Sequence, residues 1–178
     1  QDPQCDLDFV PLTARPMKGT AARTATAAAD LHDSAKERAE NLMIVDLLRN
    51  DMAHVAETGS VQVKSLFDIE TLPTVLQMTS TVCCRSRPET TLADVFRALF
   101  PCGSVTGAPK VAAMQAIAAL ESSPRGVYCG AVGIIRPNGH ATFNVAIRTV
   151  AVDRRKQTAS CGIGSGITAI SANGLHTC

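Results

Sequence analysis

The sequence predicts an α+β fold, in which helices separate groups of antiparallel strands. Alternating, β-branched segments group toward the two ends of the chain, and helical patterns with capping residues lie between them. Strands and helices do not alternate one by one, which argues against a repeating βαβ array. With 178 residues, 46% of them hydrophobic, the chain can bury one core, so we treat residues 1–178 as one domain.

The N-terminal segment combines a strand, a loop and an unassigned stretch. Residues 9–15 alternate loosely, which predicts a strand that leads into a loop at residues 16–20. A loop at the end of a strand often displays functional side chains. Residues 21–29 are rich in Ala and Thr and have no clear period, so we assign them no element, although their alanines would tolerate a helix.

Capping residues mark three helices. Ser34 followed by Glu37 forms a capping-box pattern, and Thr91 with Asp94 forms a second one. Pro109 suits the first position of a third helix, because proline lacks the N–H that would be unpaired there. The predicted helices span residues 34–52, 91–101 and 109–121.

Five further segments have the pattern of strands. Two of them lie between the first and second helices, and from residue 128 onward the apolar period is two residues. A Pro-Asn-Gly turn at residues 137–139 separates the segment at 128–136 from the segment at 141–152. Together with the last segment, these two predict an antiparallel meander. The segments are residues 61–67, 75–83, 128–136, 141–152 and 158–163.

Composition excludes several classes of protein. A net charge of +1 and 3% aromatic residues argue against nucleic-acid binding. No apolar run approaches the roughly 18 residues of a membrane span, and the first residues lack a signal-peptide pattern, so we expect a cytoplasmic protein without membrane contact. The seven cysteines lack zinc-site spacing, and we expect free thiols, mostly as small buried side chains.

Two groups in the first half of the chain carry chemistry that a core does not need. Lys18 precedes Gly19 in the predicted loop, and a partly desolvated amine there would be a nucleophile; the alternative is a solvated turn lysine. Glu37 and Glu40 share a helix face and repel each other unless a cation such as Mg²⁺ neutralises them. The alternative is an exposed face with basic neighbours.

The second half carries two candidate anion-binding groups. Residues 103–110 form a glycine loop that opens a helix, where free N–H groups attract anions, although the spacing excludes a Walker A loop. Residues 162–166 offer similar backbone donors, or form simple turns. Arg148 can bind a carboxylate from a polar strand face, and it shares that predicted face with Thr142, Asn144 and Ala146.

Taken together and in order, these motifs resemble the chorismate-utilising enzymes, in particular component I of aminodeoxychorismate synthase. Agreement runs from about residue 9 to residue 168, and so many ordered motifs are more specific than any one of them. The matching stretches are residues 15–20, 36–51, 103–110, 130–133, 146–149 and 162–168.

The resemblance implies the chorismate-binding fold, in which two packed antiparallel sheets with flanking helices hold the site in a cleft between them. It makes Lys18 the nucleophile, where anthranilate synthases typically have alanine, and it makes Glu37 and Glu40 ligands of Mg²⁺. The substrate-binding residues that it implies are Thr20, Ser104, Tyr128, Arg148, Gly164, Ser165 and Gly166.

The same resemblance implies a reaction and its partners. Chorismate would be aminated to 4-amino-4-deoxychorismate for para-aminobenzoate and folate synthesis, with ammonia from a glutamine amidotransferase component. Gln77 stands where many members have histidine. Glutamine there is typical of the branch fused to a downstream aminodeoxychorismate lyase, so the resemblance allows that partner also.

One departure from the family concerns the end of the sequence. After residue 168 the family continues into an acidic helix with further Mg²⁺ carboxylates, and the last ten residues here lack that pattern. We therefore expect a fragment truncated at both ends, with weak or no Mg²⁺ binding and little activity alone. The alternatives are anthranilate synthase component I and a non-catalytic anion-binding fragment.

Overall fold

The computed structural model describes residues 5–9, 12–16 and 21–164. Its helices and antiparallel strands confirm the predicted α+β class. The described residues form two compact units, one that ends at Leu99 and one that begins at Phe100. The assignment of the whole chain to one domain and the packing of two sheets against each other stay predictions.

A four-stranded antiparallel sheet forms the first unit's framework. The strand β4 is central: β3 pairs along one edge, while β1 and β2 pair with different halves of the other edge. Of the strand predicted at residues 9–15, the described residues lie in β1 and β2, which pair with β4 in one register, and the strands predicted at 61–67 and 75–83 are confirmed. The strands are β1 (Leu7–Phe9), β2 (Leu12–Pro16), β3 (Gln62–Thr71) and β4 (Val75–Cys84).

Three helices complete the first unit, and two of them begin at the predicted caps. The Ser34 hydroxyl accepts a hydrogen bond from the Glu37 N–H at 3.4 Å, and the Thr91 N–H and hydroxyl both donate to the Asp94 carboxylate. The first helix covers the stretch left unassigned, because alanine favours helix even without a clear apolar period. The helices are α1 (Ala21–Asp33), α2 (Ala35–Ala53) and α3 (Leu92–Leu99).

The core of the first unit lies between the sheet and its helices. Leu76 and Met78 of β4 are fully buried against Leu31 of α1 and Phe67 of β3. Because side chains alternate along a strand, Ser80 points to the same face of β4 as these two residues. The β3–β4 register shifts on either side of Ser65, so β3 is bulged there.

A disulfide between Cys5 and Cys83 links the start of the chain to β4, so the prediction of free thiols is wrong for this pair. The pairing of β1 with the end of β4 brings the two Cα atoms to 5.6 Å, which a disulfide spans. Their separation of 78 residues leaves no local signal in the sequence. Among the described free thiols, those of Cys84, Cys102 and Cys129 are buried, as predicted, and that of Cys161 is exposed.

Among its described residues, the second unit contains one α-helix, a short 3₁₀ helix at Gly103–Val105 and two hairpins. Its helix begins at Lys110, one residue later than predicted, because Pro109 is extended and acts as the cap. The predicted meander is wrong: the hairpins form two separate two-stranded sheets, and the strand predicted at 141–152 is broken after Val145. The elements are α4 (Lys110–Leu120), β5 (Ala131–Ile135), β6 (Ala141–Val145), β7 (Val150–Asp153) and β8 (Thr158–Cys161).

Candidate active site

Glu37 and Glu40 lie in the first two turns of α2, directly after its cap. Each is four residues before a buried residue of the same helix, Asn41 and Ile44 respectively, so the glutamates continue the buried stripe toward the N-terminus. The Glu40 side chain is only 29% exposed. The two carboxylates are therefore half-buried, which argues against a fully solvated face.

The electrostatics of this pair favour a cation. Burial raises the pKa of the Glu40 carboxyl, and the negative charge of Glu37 raises it further. The Lys36 ammonium, 3.9 Å from Glu40, lowers that pKa only in part. Two repelling, half-buried carboxylates present the hard oxygen donors that Mg²⁺ prefers, so the donor set fits this ion.

Three N–H groups of the glycine loop at residues 103–110 form local hydrogen bonds. The N–H groups of Val105, Thr106 and Gly107 donate to carbonyl groups of Cys102 and Gly103 at 2.9–3.3 Å. Since these three groups bond locally, they are not available to an anion. The non-catalytic anion-binding alternative also depends on the N–H groups at the start of α4, so it stays a prediction.

The predicted site residue Ser104 lies in this loop. Its side chain is exposed, and its hydroxyl lies 3.3 Å from the Cys102 thiol sulfur. It does not line either of the two cavities beside Tyr128 that are described below. Its contribution to substrate binding therefore stays a prediction.

Tyr128 and the glycines after β8 come together in the second unit. A Cβ atom on Gly162 would overlap the Tyr128 ring, and one on Gly164 would lie 2.6 Å from the Tyr128 hydroxyl oxygen. Only glycine allows the ring to approach the backbone this closely. The structure thus brings together two predicted site residues, Tyr128 and Gly164, and burial raises the pKa of the Tyr128 phenol.

Arg125 is a residue of this region that the sequence analysis missed. Its guanidinium pairs with both carboxylate oxygens of Glu121 at 2.6–3.1 Å and donates to the Val105 carbonyl at 2.9 Å. It also lies over the Tyr128 ring, 5.6 Å from the ring centre. Glu121 and Arg125 lie beyond the end of α4, so the helical i, i+4 rule gave no signal for this ion pair.

The structure contradicts the predicted surroundings of Arg148. Strand β6 ends at Val145, and the Ile147 N–H turns back to donate to the Val145 carbonyl at 2.9 Å. Arg148 follows with a φ of +51° and an exposed side chain. A strand face shared with Thr142, Asn144 and Ala146 is therefore wrong, because the chain turns before it reaches Arg148.

Two open cavities share Tyr128 as a wall. The first, of about 580 Å³, lies beside α4 and is also lined by Met114, Ile117 and the Arg125–Glu121 pair. The second, of about 650 Å³, extends to Thr149, Ser160, Gly162 and other residues of the β7–β8 hairpin. The residues from Glu121 to Gly126 line both cavities as well.

The remaining predicted site residues lie outside the described residues: Lys18, Thr20, Ser165 and Gly166. Of the described ones, Glu37 and Glu40 belong to the first unit and Ser104, Tyr128, Arg148 and Gly164 to the second. The structure therefore brings together the two glutamates in one unit and Tyr128 with Gly164 in the other.

A family model described as chorismate binding enzyme matches residues 11–174. The chain belongs to this family. Among its relatives are a probable chloroplastic aminodeoxychorismate synthase from Oryza sativa, 46% identical over 90% of this chain, and aminodeoxychorismate synthase component 1 from Klebsiella aerogenes, 44% identical over 90%. Anthranilate synthase component 1 from Aquifex aeolicus is 42% identical over 86%. The chain spans 18%, 36% and 32% of these relatives, respectively.

Solved structures agree with this assignment. Anthranilate synthase component I from Streptococcus pneumoniae is 40% identical, with a TM-score of 0.66 over 79% of this chain and 32% of that one. The structure of an isochorismate synthase from Bacillus anthracis has the same TM-score and is 23% identical. The match covers 80% of this chain and 38% of the Bacillus chain, and this likeness shows the fold. The predicted chorismate-binding fold is confirmed. Among the described residues, every helix is too short or too polar to span a membrane.

Proposed function

We propose that this chain is part of an enzyme that aminates chorismate to 4-amino-4-deoxychorismate. The observation that carries the proposal is Lys18, a nucleophilic side chain at the position where the anthranilate-forming branch typically has alanine. The similarity to relatives named aminodeoxychorismate synthase, 42–46% over about 90% of the chain, supports it.

The proposed chemistry proceeds in two displacements. The neutral Lys18 amine forms a bond to ring carbon C2 of chorismate while the C4 hydroxyl leaves and takes up a proton as water. Ammonia then forms a bond to C4, the C2–nitrogen bond breaks, and Lys18 leaves as an amine. The net reaction consumes chorismate and ammonia and yields 4-amino-4-deoxychorismate and water.

The described residues supply binding groups for this reaction. Glu37 and Glu40 would hold Mg²⁺, which neutralises a substrate carboxylate when it is bound. The Tyr128 hydroxyl beside Gly164 offers a hydrogen-bond donor to the substrate. Arg148 is exposed, so its guanidinium is accessible to a carboxylate group.

The partners follow from the reaction. A glutamine amidotransferase component would supply the ammonia, and a downstream aminodeoxychorismate lyase would be a second partner. The cytoplasm is the compartment in this proposal, and the two plant relatives named chloroplastic make a plastid the alternative.

A chimera tests the proposal. Residues 9–164 would replace the matching segment of the Klebsiella aerogenes component 1, which supplies the parts of that enzyme that this chain does not cover. With chorismate, ammonia and Mg²⁺, the chimera is expected to form 4-amino-4-deoxychorismate, and its Lys18→Ala variant is expected to lose the activity. Lys18→Arg is the matched control, since it keeps the positive charge without a nucleophilic amine. Formation of the product by the Lys18→Ala chimera would refute the proposed role of this amine.

Anthranilate formation is the second candidate, because the Aquifex aeolicus relative carries that name at 42% identity. The same chimera separates the two functions by product analysis. Anthranilate as the main product, unchanged by Lys18→Ala, would favour the second candidate.

A further inference from the structure

A chain of buried hydrogen bonds connects α2 to the sheet at Asn41, the residue after Glu40. Asn41 is 2% exposed, and its side-chain oxygen accepts a hydrogen bond from the Ser80 hydroxyl of β4 at 2.5 Å. Ser80 is fully buried, and its oxygen in turn accepts from the Phe67 N–H of β3 at 3.1 Å. We name these three residues the α2 relay. It connects one helix and two strands.

The relay ends in a distorted part of β3. Phe67 has a φ of +60°, which is rare for a residue with a side chain, and it lies where the β3–β4 register shifts between Ser65 and Asp68. The bulge takes the Phe67 N–H out of the strand ladder, so Ser80 can bind it. The Phe67 ring also lies 4.5 Å from the Arg38 guanidinium, in the first turn of α2. Two contacts thus join the bulge to the helix that carries the glutamates.

One polar atom of the relay has a cost in stability. The side-chain nitrogen of Asn41 is buried and lacks a hydrogen-bond partner among the described residues. A buried donor without a partner destabilises the folded state, so stability alone does not explain an amide here. The amide adds a directional hydrogen bond to Ser80, and this bond fixes the rotation of α2 about its axis.

The glutamates lie next to this fixed point. Glu40 immediately precedes Asn41, and Glu37 lies one helical turn before it. A rotation of α2 released at Asn41 would therefore move both carboxylates. We propose that Asn41 is a positioning residue and that the α2 relay holds Glu37 and Glu40 in the arrangement that binds a divalent cation. This inference rests on the metal-binding role given to the two glutamates in the proposed function.

The test uses the chimera of residues 9–164 described above, because it adds the further Mg²⁺ carboxylates expected of the family after residue 168, and Mn²⁺ replaces Mg²⁺. The chimera without further substitution serves as the wild type. Mn²⁺ accepts the same oxygen ligands, and its unpaired electrons broaden NMR signals of nearby amide groups, so weak binding is detectable. Titration of the wild type is expected to broaden the amides of residues 36–41 selectively. Ser80→Ala removes the centre of the relay, and Asn41→Leu replaces the amide by an apolar group.

Thr79→Val is the matched control. Thr79 is the neighbour of Ser80 on β4 and equally buried, but its hydroxyl donates to Glu70 of β3 at 3.1 Å and not to α2. Ser80→Ala and Asn41→Leu are each expected to need about tenfold more Mn²⁺ for the same broadening, the size of effect that residues supporting metal ligands have. Thr79→Val is expected to titrate as the wild type does. Urea unfolding of every variant checks that each one is folded under the conditions of the Mn²⁺ titration.

Each outcome decides the inference. Unchanged Mn²⁺ affinity in folded Ser80→Ala and Asn41→Leu overturns the positioning role while the metal site stands. An equal loss in Thr79→Val means that any buried change in β4 weakens the site, which also overturns it. Absence of selective broadening in the wild type refutes the metal-binding role of the glutamates, and the positioning role with it.

Discussion

Replacement of Gly162 by alanine is expected to destabilise the second unit, because the Tyr128 ring occupies the space that the methyl group needs. The added Cβ atom would overlap three ring carbons, Cγ among them. Since Cγ is one bond from the Tyr128 Cβ, the ring cannot move aside at this point without a shift of its backbone. At Gly164 only the hydroxyl end of Tyr128 is close, at 2.6 Å, and a flexible end moves easily.

The expected magnitude follows from two opposing terms. Overpacking of this kind costs about 1–3 kcal/mol. Alanine also restricts the unfolded chain relative to glycine, which stabilises the folded state by about 0.4–1 kcal/mol, and φ at Gly162 lies outside the left-handed region. We therefore expect Gly162→Ala to lower the free energy of unfolding by about 1–2 kcal/mol. Gly164→Ala is expected to lower it by less than about 1 kcal/mol.

The assay is a double-mutant cycle with Tyr128→Ala, measured by urea unfolding of the full chain. Without the ring the methyl group no longer meets Tyr128 and only the effect on the unfolded chain remains, so Gly162→Ala is expected to stabilise that background by about 0.4–1 kcal/mol. A coupling energy of at least about 1 kcal/mol is the expected result. If Gly162→Ala has the same cost with and without the Tyr128 ring, the reasoning about their close approach is refuted.

Three further predictions concern the first unit. Without reductant, Cys5→Ser is expected to lower the free energy of unfolding by about 4.5 kcal/mol, because the disulfide closes a loop between residues 78 apart. Equal stability of Cys5→Ser and the wild type under these conditions would contradict the cross-link. Ser34→Ala removes the cap of α2 and is expected to lower the free energy of unfolding by about 1 kcal/mol, measured with urea. An unchanged free energy of unfolding would contradict the role of this cap. Glu40 has a raised pKa in the folded state, so its contribution to stability falls as pH rises above the ordinary value of 4.5. Without divalent cations, Glu40→Gln should therefore melt at a higher temperature than the wild type at pH 7 and at the same temperature below pH 4.5, and a pH-independent difference would refute this.

Local signals predicted the elements with strong caps. The hydroxyls of Ser34 and Thr91 bind backbone N–H groups three residues on, as their sequence patterns indicate, so α2 and α3 begin where predicted. Helix α1 lacked such a signal, and its helical state depends on alanine propensity and on the burial of Leu31. Periodicity alone could not have assigned it.

Longer-range backbone contacts explain the errors in the second unit. The alternating pattern continues through Ala146, but this residue instead exchanges backbone hydrogen bonds with Cys129 and Gly130, and the chain then turns. Neither partner is close in sequence, so the break before Arg148 was not predictable from the period. The same holds for the Cys5–Cys83 disulfide and for the Asn41–Ser80 contact across 39 residues.

The candidate site was predicted to a different extent in each unit. The i, i+3 spacing of Glu37 and Glu40 predicted a shared face, and the structure adds that this face is half-buried. The close approach of Tyr128 to Gly162 and Gly164 depends on a loop and a strand end that meet only in the folded chain. The family motifs named these residues, whereas spacing did not connect them.

The most direct test of the proposed function is mass spectrometry of the chimera after incubation with chorismate and Mg²⁺ in the absence of ammonia. The proposed mechanism predicts that Lys18 carries an adduct with the mass of chorismate less one water, and that added ammonia releases it as 4-amino-4-deoxychorismate. An unmodified Lys18 in a chimera that still forms this product would contradict the mechanism.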